Sequence, residues 1–158
     1  MKTTITEKTI LLSKKGMKEL KKAITQLEHD KRKTLQSIRE IDKTTGREER
    51  LERANELSNL ENIESELDDK KTMLLESKLL PTKRTRLRVV IGSIVDLIDN
   101  HGRLFRFTIV DSVEANPSDG RISTLSPIGQ SLIGKTVKDT VEWNSGSRTS
   151  RFKLVRIL

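Results

Sequence analysis

The 158-residue sequence contains no cysteine, which excludes disulfide bonds and thiolate metal sites. It has no apolar run near the roughly 20 residues that a membrane-spanning helix needs, and residues 1–4 lack the apolar region of a signal peptide. The two histidines, His29 and His101, are too far apart for metal-ligand spacing. The sequence shows neither a nucleophile–base pair nor a phosphate-binding loop. We therefore expect a cytoplasmic protein without membrane contact.

Proline and glycine are scarce over a long central stretch. Between Gly16 and Pro81 there is no proline and only one glycine, Gly46. Residues 17–45 and 47–80 can therefore each form a helix of roughly 40 to 50 Å, with a break at the glycine. Each segment repeats apolar residues at helical steps, first Leu20, Ile24, Leu27, Leu35, Ile38 and Ile41, then Leu51, Ala54, Leu57, Leu60, Ile63, Leu67 and Leu74. Because neither stripe should stay in water, the pattern predicts an antiparallel coiled-coil hairpin with its tip near 44–53.

The net charge of +8 is concentrated in the second half of the chain. Residues 1–80 carry 18 basic and 16 acidic side chains, whereas residues 81–158 carry 13 basic and 7 acidic ones. A basic domain favours an acidic partner or a phosphate backbone. A basic domain without any nucleic-acid role has the same composition, so charge alone leaves both interpretations open.

The sequence pattern changes after Pro81. Residues 81–88 are basic and are typical of a linker, and short β-branched runs then predict strands at 93–98, 104–110, 121–124, 137–143 and 152–157. Residues 128–133 are predicted to form one or two helical turns. The chain is therefore predicted to be α+β, with a helical hairpin over 1–80, a linker over 81–88 and an antiparallel-sheet domain over 89–158.

One segment of the predicted sheet domain is fairly specific: Ser126-Pro127-Ile128-Gly129-Gln130-Ser131-Leu132-Ile133-Gly134-Lys135. It closely resembles the signature of the bacterial transcript-cleavage factors of the GreA/GreB family. Residues 91–97 resemble the first strand of the same family domain, and residues 12–20 resemble the family's N-terminal opening. The order of hairpin, linker and second domain also matches, so the resemblance covers essentially the whole chain. It implies that the second domain is FKBP-like.

The resemblance implies an accessory factor and not an enzyme. Factors of this family bind bacterial RNA polymerase at the rim of its secondary channel, and their hairpin places its tip beside the catalytic centre. When the polymerase has backtracked, acidic tip residues help to hold a second Mg²⁺ and orient water, and the polymerase's own site cuts the extruded RNA. The implied partners are RNA polymerase and the 3′ end of the nascent RNA. The protein is expected to be a monomer with no cofactor of its own, since the Mg²⁺ is shared with the polymerase.

The tip departs from the family pattern Gly-Asp-Leu-Ser-Glu-Asn-Ala-Glu-Tyr. When the two are aligned on Gly46 without gaps, the family's acidic positions fall on Arg47 and Arg50, which would abolish the metal function. A shift of two residues instead places Glu49 and Glu52 at the same i, i+3 spacing, on one helical face. The shifted alignment therefore predicts Glu49 and Glu52 as the catalytic, metal-holding pair.

Two further acids lie near this pair: Glu48, a third catalytic candidate, and Asp42, just before the turn. The acids of the tip alternate with arginines, so a solvated face with local ion pairs explains them equally well. The same arginines are consistent with a tip that occupies the channel but inhibits the polymerase.

Two other sets of residues, outside the tip, are expected to contact a partner. By resemblance, the polymerase rim is contacted by Ser126, Pro127 and Lys135. The alternative is structural, because serine and proline favour the first positions of a helix. Phosphate contacts to extruded RNA are expected of Lys14, Lys18, Lys31 and Arg32. The alternative for these four is that they only keep the helix soluble.

Three functions therefore remain after the sequence alone. The leading one is a factor that binds the secondary channel and stimulates cleavage of backtracked RNA. The second is a non-cleaving channel regulator with a divergent tip, and the third is a coiled-coil scaffold without polymerase contact. The chain has only three Phe and one Trp, which argues against an FKBP-type isomerase pocket and against sequence-specific single-strand binding.

Overall fold

The computed structural model describes residues 9–43, 46–81, 83 and 85–158. Residues 1–8, 44, 45, 82 and 84, which belong to the predicted hairpin, tip and linker, lie outside the described residues. The chain divides into two compact units. One unit is Met17–Glu76, and the other combines the chain up to Gly16 with Ser77–Leu158.

The first unit is a pair of antiparallel helices, α1 (Lys14–Ile41, whose first turn belongs to the second unit) and α2 (Arg47–Glu76). Three ion pairs join the two helical arms: Glu28–Lys71 at 2.8 Å, Lys31–Glu64 at 2.7 Å and Asp42–Arg53 at 2.6 Å. In these pairs the residue number rises along one arm as it falls along the other, which is the antiparallel arrangement. The predicted helical hairpin is therefore confirmed.

The two apolar stripes are buried to different extents. Helix α1 buries Leu20, Ile24 and Ile38, whereas Leu67 is the one buried apolar side chain on α2. Leu51 is 70% exposed, so the prediction that the whole second stripe is buried is wrong near the tip. Further along the hairpin, a groove of about 430 Å³ lies between the helices, and most of the side chains that line it are polar: Asp30, Lys33, Thr34, Ser37, Glu56 and Asn59, with Ile63 the apolar one.

The second unit begins with two short parallel strands, β1 (Ile10–Leu12) and β2 (Ser77–Leu79). Helix α2 was predicted to continue to residue 80, but it ends at Glu76 because the next three residues pair with β1. Leu80 extends the pairing by donating its backbone N–H to the carbonyl of Leu12 at 2.9 Å. The boundaries of the units thus differ from the predicted division at residues 80 and 81.

The main sheet has five strands in the order β5-β4-β3-β7-β6. They are β3 (Ile94–Asp99), β4 (Leu104–Val110), β5 (Arg121–Ser123), β6 (Thr140–Ser145) and β7 (Arg148–Ile157). The strands were predicted within a few residues of these bounds, but the predicted antiparallel sheet is corrected to a mixed one, because β4 and β5 are parallel. The chain between them returns to the level of the middle of β4 and contains two short 3₁₀ turns, Ser112–Glu114 and Pro117–Asp119.

One face of the sheet carries the core. Val95, Leu97, Ile109 and Leu154 are fully buried, and the short helix α3 (Pro127–Leu132) adds Leu132 to them. Burial of each such side chain contributes about 1.5–3 kcal/mol relative to exposure. None of the helices in the described parts of the chain is long and apolar enough to cross a membrane.

Candidate functional site

The tip of the hairpin places Glu49 against Gly46. Helix α2 begins at Arg47, directly after the glycine, and acidic residues in a first helical turn suit the positive end of the helix dipole. The carboxylate of Glu49 occupies the position where a side chain on Gly46 would stand. An acid in the third helical position often turns back toward the residue before the helix in this way. The half-buried Glu49 therefore has a local structural role.

The other acids of the tip differ from Glu49 in their surroundings. Glu48 and Glu52 are exposed on the first two turns of α2, and Glu52 lies one turn after Glu49. Asp42 is already paired with Arg53 at 2.6 Å. The structure therefore keeps Glu48, Glu49 and Glu52 on neighbouring turns, with Glu49 alone turned back over Gly46.

The described residues contain no group of three or more His, Cys, Asp or Glu side chains that could hold a metal ion. The tip offers carboxylate oxygens, which are the ligand type that Mg²⁺ prefers, and Mg²⁺ usually keeps several waters. This donor set fits a metal ion whose remaining ligands come from water and from another molecule.

The predicted rim residues surround the start of α3. The hydroxyl of Ser126 donates to the carbonyl of Ser123 at 2.7 Å and accepts from the backbone N–H of Gly129 at 3.1 Å. Pro127 occupies the first helical position and is exposed. The helix-start alternative for Ser126 and Pro127 is therefore correct as a structural description, and it leaves the Pro127 ring available to a partner.

The close packing of Gly129 against Ser123 fixes the position of the first turn of α3. A Cβ on Gly129 would overlap the backbone carbonyl of Ser123, so a larger residue cannot fit without a backbone shift. The sequence analysis did not identify Ser123, because its role depends on a carbonyl group and leaves no signal in the side chain. Lys135 lies after α3 and is half-buried, and its backbone carbonyl accepts from Val89 at 2.9 Å.

The four predicted RNA-binding residues are not equivalent. Lys14, Lys18 and Arg32 are exposed, and the Nε of Arg32 donates to the carbonyl of Glu28 at 3.3 Å within its own helix. Lys31 is half-buried and forms an ion pair with Glu64. The charge of Lys31 is thus compensated inside the hairpin, which makes it the least available of the four.

The sequence analysis also missed a buried acid in the second unit. The carboxylate of Glu114 accepts from the backbone N–H of Ser13 at 2.8 Å and from its hydroxyl at 2.6 Å. The Ser13 hydroxyl in turn accepts from the backbone N–H of Gly16 at 2.9 Å, as an N-cap of α1 does. No local pattern marks Glu114, since its partner is distant in sequence.

Asp96 forms the other buried charge interaction of this unit. Both of its carboxylate oxygens accept from Arg106 on the neighbouring strand, at 2.7 and 3.0 Å. This hydrogen bonding lowers the pKa of Asp96, burial opposes the shift by raising it, and the positive charges of Arg106 and Arg156 add to the lowering. The net effect is a carboxylate that stays ionised within a largely apolar sheet.

Comparison with known proteins assigns the chain to a family. Residues 84–158 match the family model described as the C-terminal part of the transcription elongation factors GreA/GreB. The transcription elongation factor GreA of Mesomycoplasma hyopneumoniae is 32% identical over 162 aligned residues, which cover 100% of this chain and 97% of that protein. GreA of Chlorobium phaeobacteroides is 34% identical over 84% of this chain and 86% of its own length.

Solved structures with similar chains include Gfh1 of Thermus aquaticus, with 23% identity and a TM-score of 0.43 over 94% of this chain and 97% of that one. A GreA/GreB factor of Nitrosomonas europaea has 19% identity and a TM-score of 0.43, over 94% of this chain and 98% of that one. The two sequence matches decide the relationship, because both exceed 30% identity and each covers at least 84% of this chain and 86% of its relative. The chain belongs to the GreA/GreB family of transcription elongation factors.

Proposed function

We propose that this protein binds bacterial RNA polymerase through its sheet-containing unit and stimulates cleavage of backtracked nascent RNA. The hairpin enters the polymerase's secondary channel, and the polymerase's own active centre performs the cleavage. Family membership carries this proposal, because the similarity to GreA proteins extends over both the hairpin and the sheet unit. In this function the protein is a monomeric accessory factor without a reaction of its own.

The exposed acids of the tip support the cleavage step. Glu52 and Glu48 are accessible, and Glu49 becomes available if its flexible side chain leaves Gly46. These carboxylates would hold a Mg²⁺ ion shared with the polymerase, in keeping with the preference of that ion for oxygen ligands. Such an ion, when bound, supplies activation of the attacking water.

A second function, a non-cleaving channel regulator, is favoured by one feature of the tip. Arg47 and Arg50 are exposed and occupy the family's acidic positions in the gapless alignment. Glu49 is meanwhile turned back over Gly46. A tip that presents arginines instead of a carboxylate pair would occupy the channel without helping to hold the metal ion.

The deciding experiment is RNA cleavage in a purified, backtracked elongation complex from the matching bacterium. The wild type is compared with the double variant Glu49→Gln/Glu52→Gln and with Glu61→Gln. Glu61 is a suitable control because it is exposed on the same helix and has no ion pair among the described residues. We expect the double variant to lose cleavage by about tenfold or more, which corresponds to about 1.4 kcal/mol of barrier. Polymerase binding should be equal for all three proteins.

Each of the other possible results would favour a different function or remove the tip acids from the mechanism. Binding by the wild type without cleavage would contradict the cleavage function and support the channel regulator. Equal cleavage by the double variant would remove Glu49 and Glu52 from the mechanism. Failure to co-elute with polymerase would contradict both functions and leave the coiled-coil scaffold.

A further inference from the structure

A small cleft lies in the sheet unit where two turns meet. Strands β3 and β7 are neighbours, with Asp99 opposite Phe152, so the turn after β3 lies beside the beginning of β7. The cleft has a volume of about 270 Å³. This is far more than the roughly 10–15 Å³ that a cavity needs to hold one water, so the cleft has room for a group larger than a single ion.

The lining of the cleft is positively charged. It includes three arginines, Arg103, Arg148 and Arg151, but only one carboxylate, that of Asp99. Asp99 is fully engaged: it accepts from the backbone N–H groups of His101 and Arg103 at 2.8 and 2.9 Å, and from the Arg103 Nε at 2.7 Å. Burial alone would raise the pKa of Asp99, but these hydrogen bonds lower it. The cleft therefore has an excess of positive charge.

Arg103 is held in place before any ligand arrives. Its Nε is bonded to Asp99, and its guanidinium carbon lies 5.8 Å from the centre of the Phe105 ring. The terminal nitrogens of Arg103 have no hydrogen bond among the described residues. Phe105 is itself held, with its ring packed against the edge of Phe152 at a centroid distance of 5.7 Å. An arginine fixed in this way loses little side-chain entropy when it binds an anion.

The other two arginines differ in availability. Arg151 donates to Glu142 from Nε at 2.9 Å and from a terminal nitrogen at 2.5 Å, so its charge is largely compensated. Arg148 is exposed and has no ion pair within the described part of the chain. Arg103 is likewise paired with Asp99, so the uncompensated positive charge of the cleft is that of Arg148. Arg103 contributes the N–H donors of its terminal nitrogens, because only its Nε is bonded to Asp99.

We propose that this cleft binds the phosphate group of a nucleotide, with Arg103 and Arg148 as the phosphate ligands and Phe105 as an apolar contact for the sugar or base. Arginine offers several planar donors that match phosphate oxygens, and aromatic rings accept any base without sequence preference. A free nucleotide and the 5′ end of an RNA present the same chemistry. The proposal goes beyond the function in transcript cleavage and does not depend on it.

Isothermal titration calorimetry of the full-length protein tests the proposal. The probes are ATP and an eight-nucleotide RNA with or without a 5′-phosphate. The variants are Arg148→Gln and Arg103→Gln, with Arg86→Gln as a control that removes the same charge from an exposed residue outside the cleft. Arg148 makes no ion pair among the described residues, so its variant should fold normally, which the spectrum of the single Trp143 checks.

We expect saturable binding of ATP by the wild type, weakened about tenfold by either cleft variant and within about twofold of wild type in the control. Arg148→Lys should fall between wild type and Arg148→Gln, because it keeps the charge but loses the planar donors. Binding only of the 5′-phosphorylated RNA, with the same variant pattern, supports the site with RNA as the source of the phosphate. The absence of saturable binding, or equal weakening by Arg86→Gln, overturns the proposal.

Discussion

The carboxylate of Glu114 is bonded to Ser13, a residue 101 positions earlier in the chain. Both carboxylate oxygens are used, one by the backbone N–H of Ser13 and one by its hydroxyl. The same hydroxyl accepts from Gly16, so a single buried acid orients the side chain that caps helix α1. The beginning of the helix is thus specified by a residue from a 3₁₀ turn between two strands of the sheet unit.

This relationship predicts that Glu114→Ala destabilises the protein. The substitution leaves two partly buried donors of Ser13 without an acceptor, which should lower the free energy of unfolding by about 2–4 kcal/mol. Ser13→Ala retains the backbone bond and should cost about 1 kcal/mol. Urea unfolding followed by Trp143 fluorescence measures both. Glu61→Ala, on an exposed helical surface, should change stability by less than about 0.5 kcal/mol, and an equally small effect of Glu114→Ala would contradict the assigned contact.

Two glycines whose added Cβ would meet a glutamate carboxylate should respond differently to alanine. Alanine in place of a helical glycine is normally favourable by about 0.5–1 kcal/mol. At Gly16, however, the new methyl group would overlap the carboxylate of Glu114, which two hydrogen bonds hold in place. Gly16→Ala should therefore destabilise the protein by about 1–3 kcal/mol.

Gly46→Ala provides the matched comparison. There the methyl group would meet only the end of the Glu49 side chain, which can swing into solvent at the tip. Its effect on the urea midpoint should stay within about 0.5 kcal/mol. An effect of Gly16→Ala as small as this would show that the Glu114 carboxylate moves as freely as that of Glu49, and would contradict the prediction for Gly16.

The sequence predicted the elements that local patterns encode. The helical hairpin followed from apolar residues at steps of three and four, and the five main strands followed from short β-branched runs. The sheet order and the parallel pairing of β4 with β5 were not accessible in this way, because a strand's own pattern does not record the direction of its neighbour. The end of α2 at Glu76 was missed for a similar reason, since it depends on pairing with Ile10–Leu12.

The candidate site was predicted less completely. The sequence placed Glu48, Glu49 and Glu52 near the tip, but it did not show that Glu49 turns back over Gly46, which depends on one side-chain rotation. It also assigned Lys31 to phosphate contacts with RNA, and it gave no sign of the ion pair that Lys31 forms with Glu64 on the other helix. Both features depend on contacts made only after the chain has folded.

Substitutions of Ser126 and Pro127 should distinguish an effect on stability from an effect on polymerase affinity at the predicted contact. Ser126→Ala removes two hydrogen bonds at the start of α3 and should cost about 1–2 kcal/mol of stability. Pro127→Ala affects an exposed ring and should change stability by less than about 1 kcal/mol. If this ring contacts the polymerase, Pro127→Ala should weaken polymerase binding about tenfold in a competition assay. Unchanged affinity would restrict Pro127 to its role in starting the helix.

The hydrogen-bonded ion pair between Asp96 and Arg106 should make the free energy of unfolding depend on pH in the acid range. Hydrogen bonds from Arg106 lower the pKa of Asp96 in the folded protein, despite the opposing effect of burial, below the unfolded value of about 3.9. A carboxyl group whose pKa is lower in the folded than in the unfolded protein stabilises the fold fully at any pH above its unfolded-state pKa. This stabilisation is lost as the pH falls through its folded-state pKa. The Asp96 contribution should therefore be constant from about pH 5 to 8 and decline below about pH 4.

Asp96→Asn tests this dependence by urea unfolding over a pH series. The substitution should cost about 1–3 kcal/mol at neutral pH, because Asp96 is 4% exposed and the bonds to a charged partner are weakened. The difference from wild type should narrow below about pH 4, as the wild-type carboxylate also becomes protonated. Glu142→Gln is the control, since Glu142 pairs with Arg151 on the surface, where an ion pair contributes less than about 1 kcal/mol. A difference that stayed constant down to the lowest pH would assign the effect of Asp96 to packing and not to its charge.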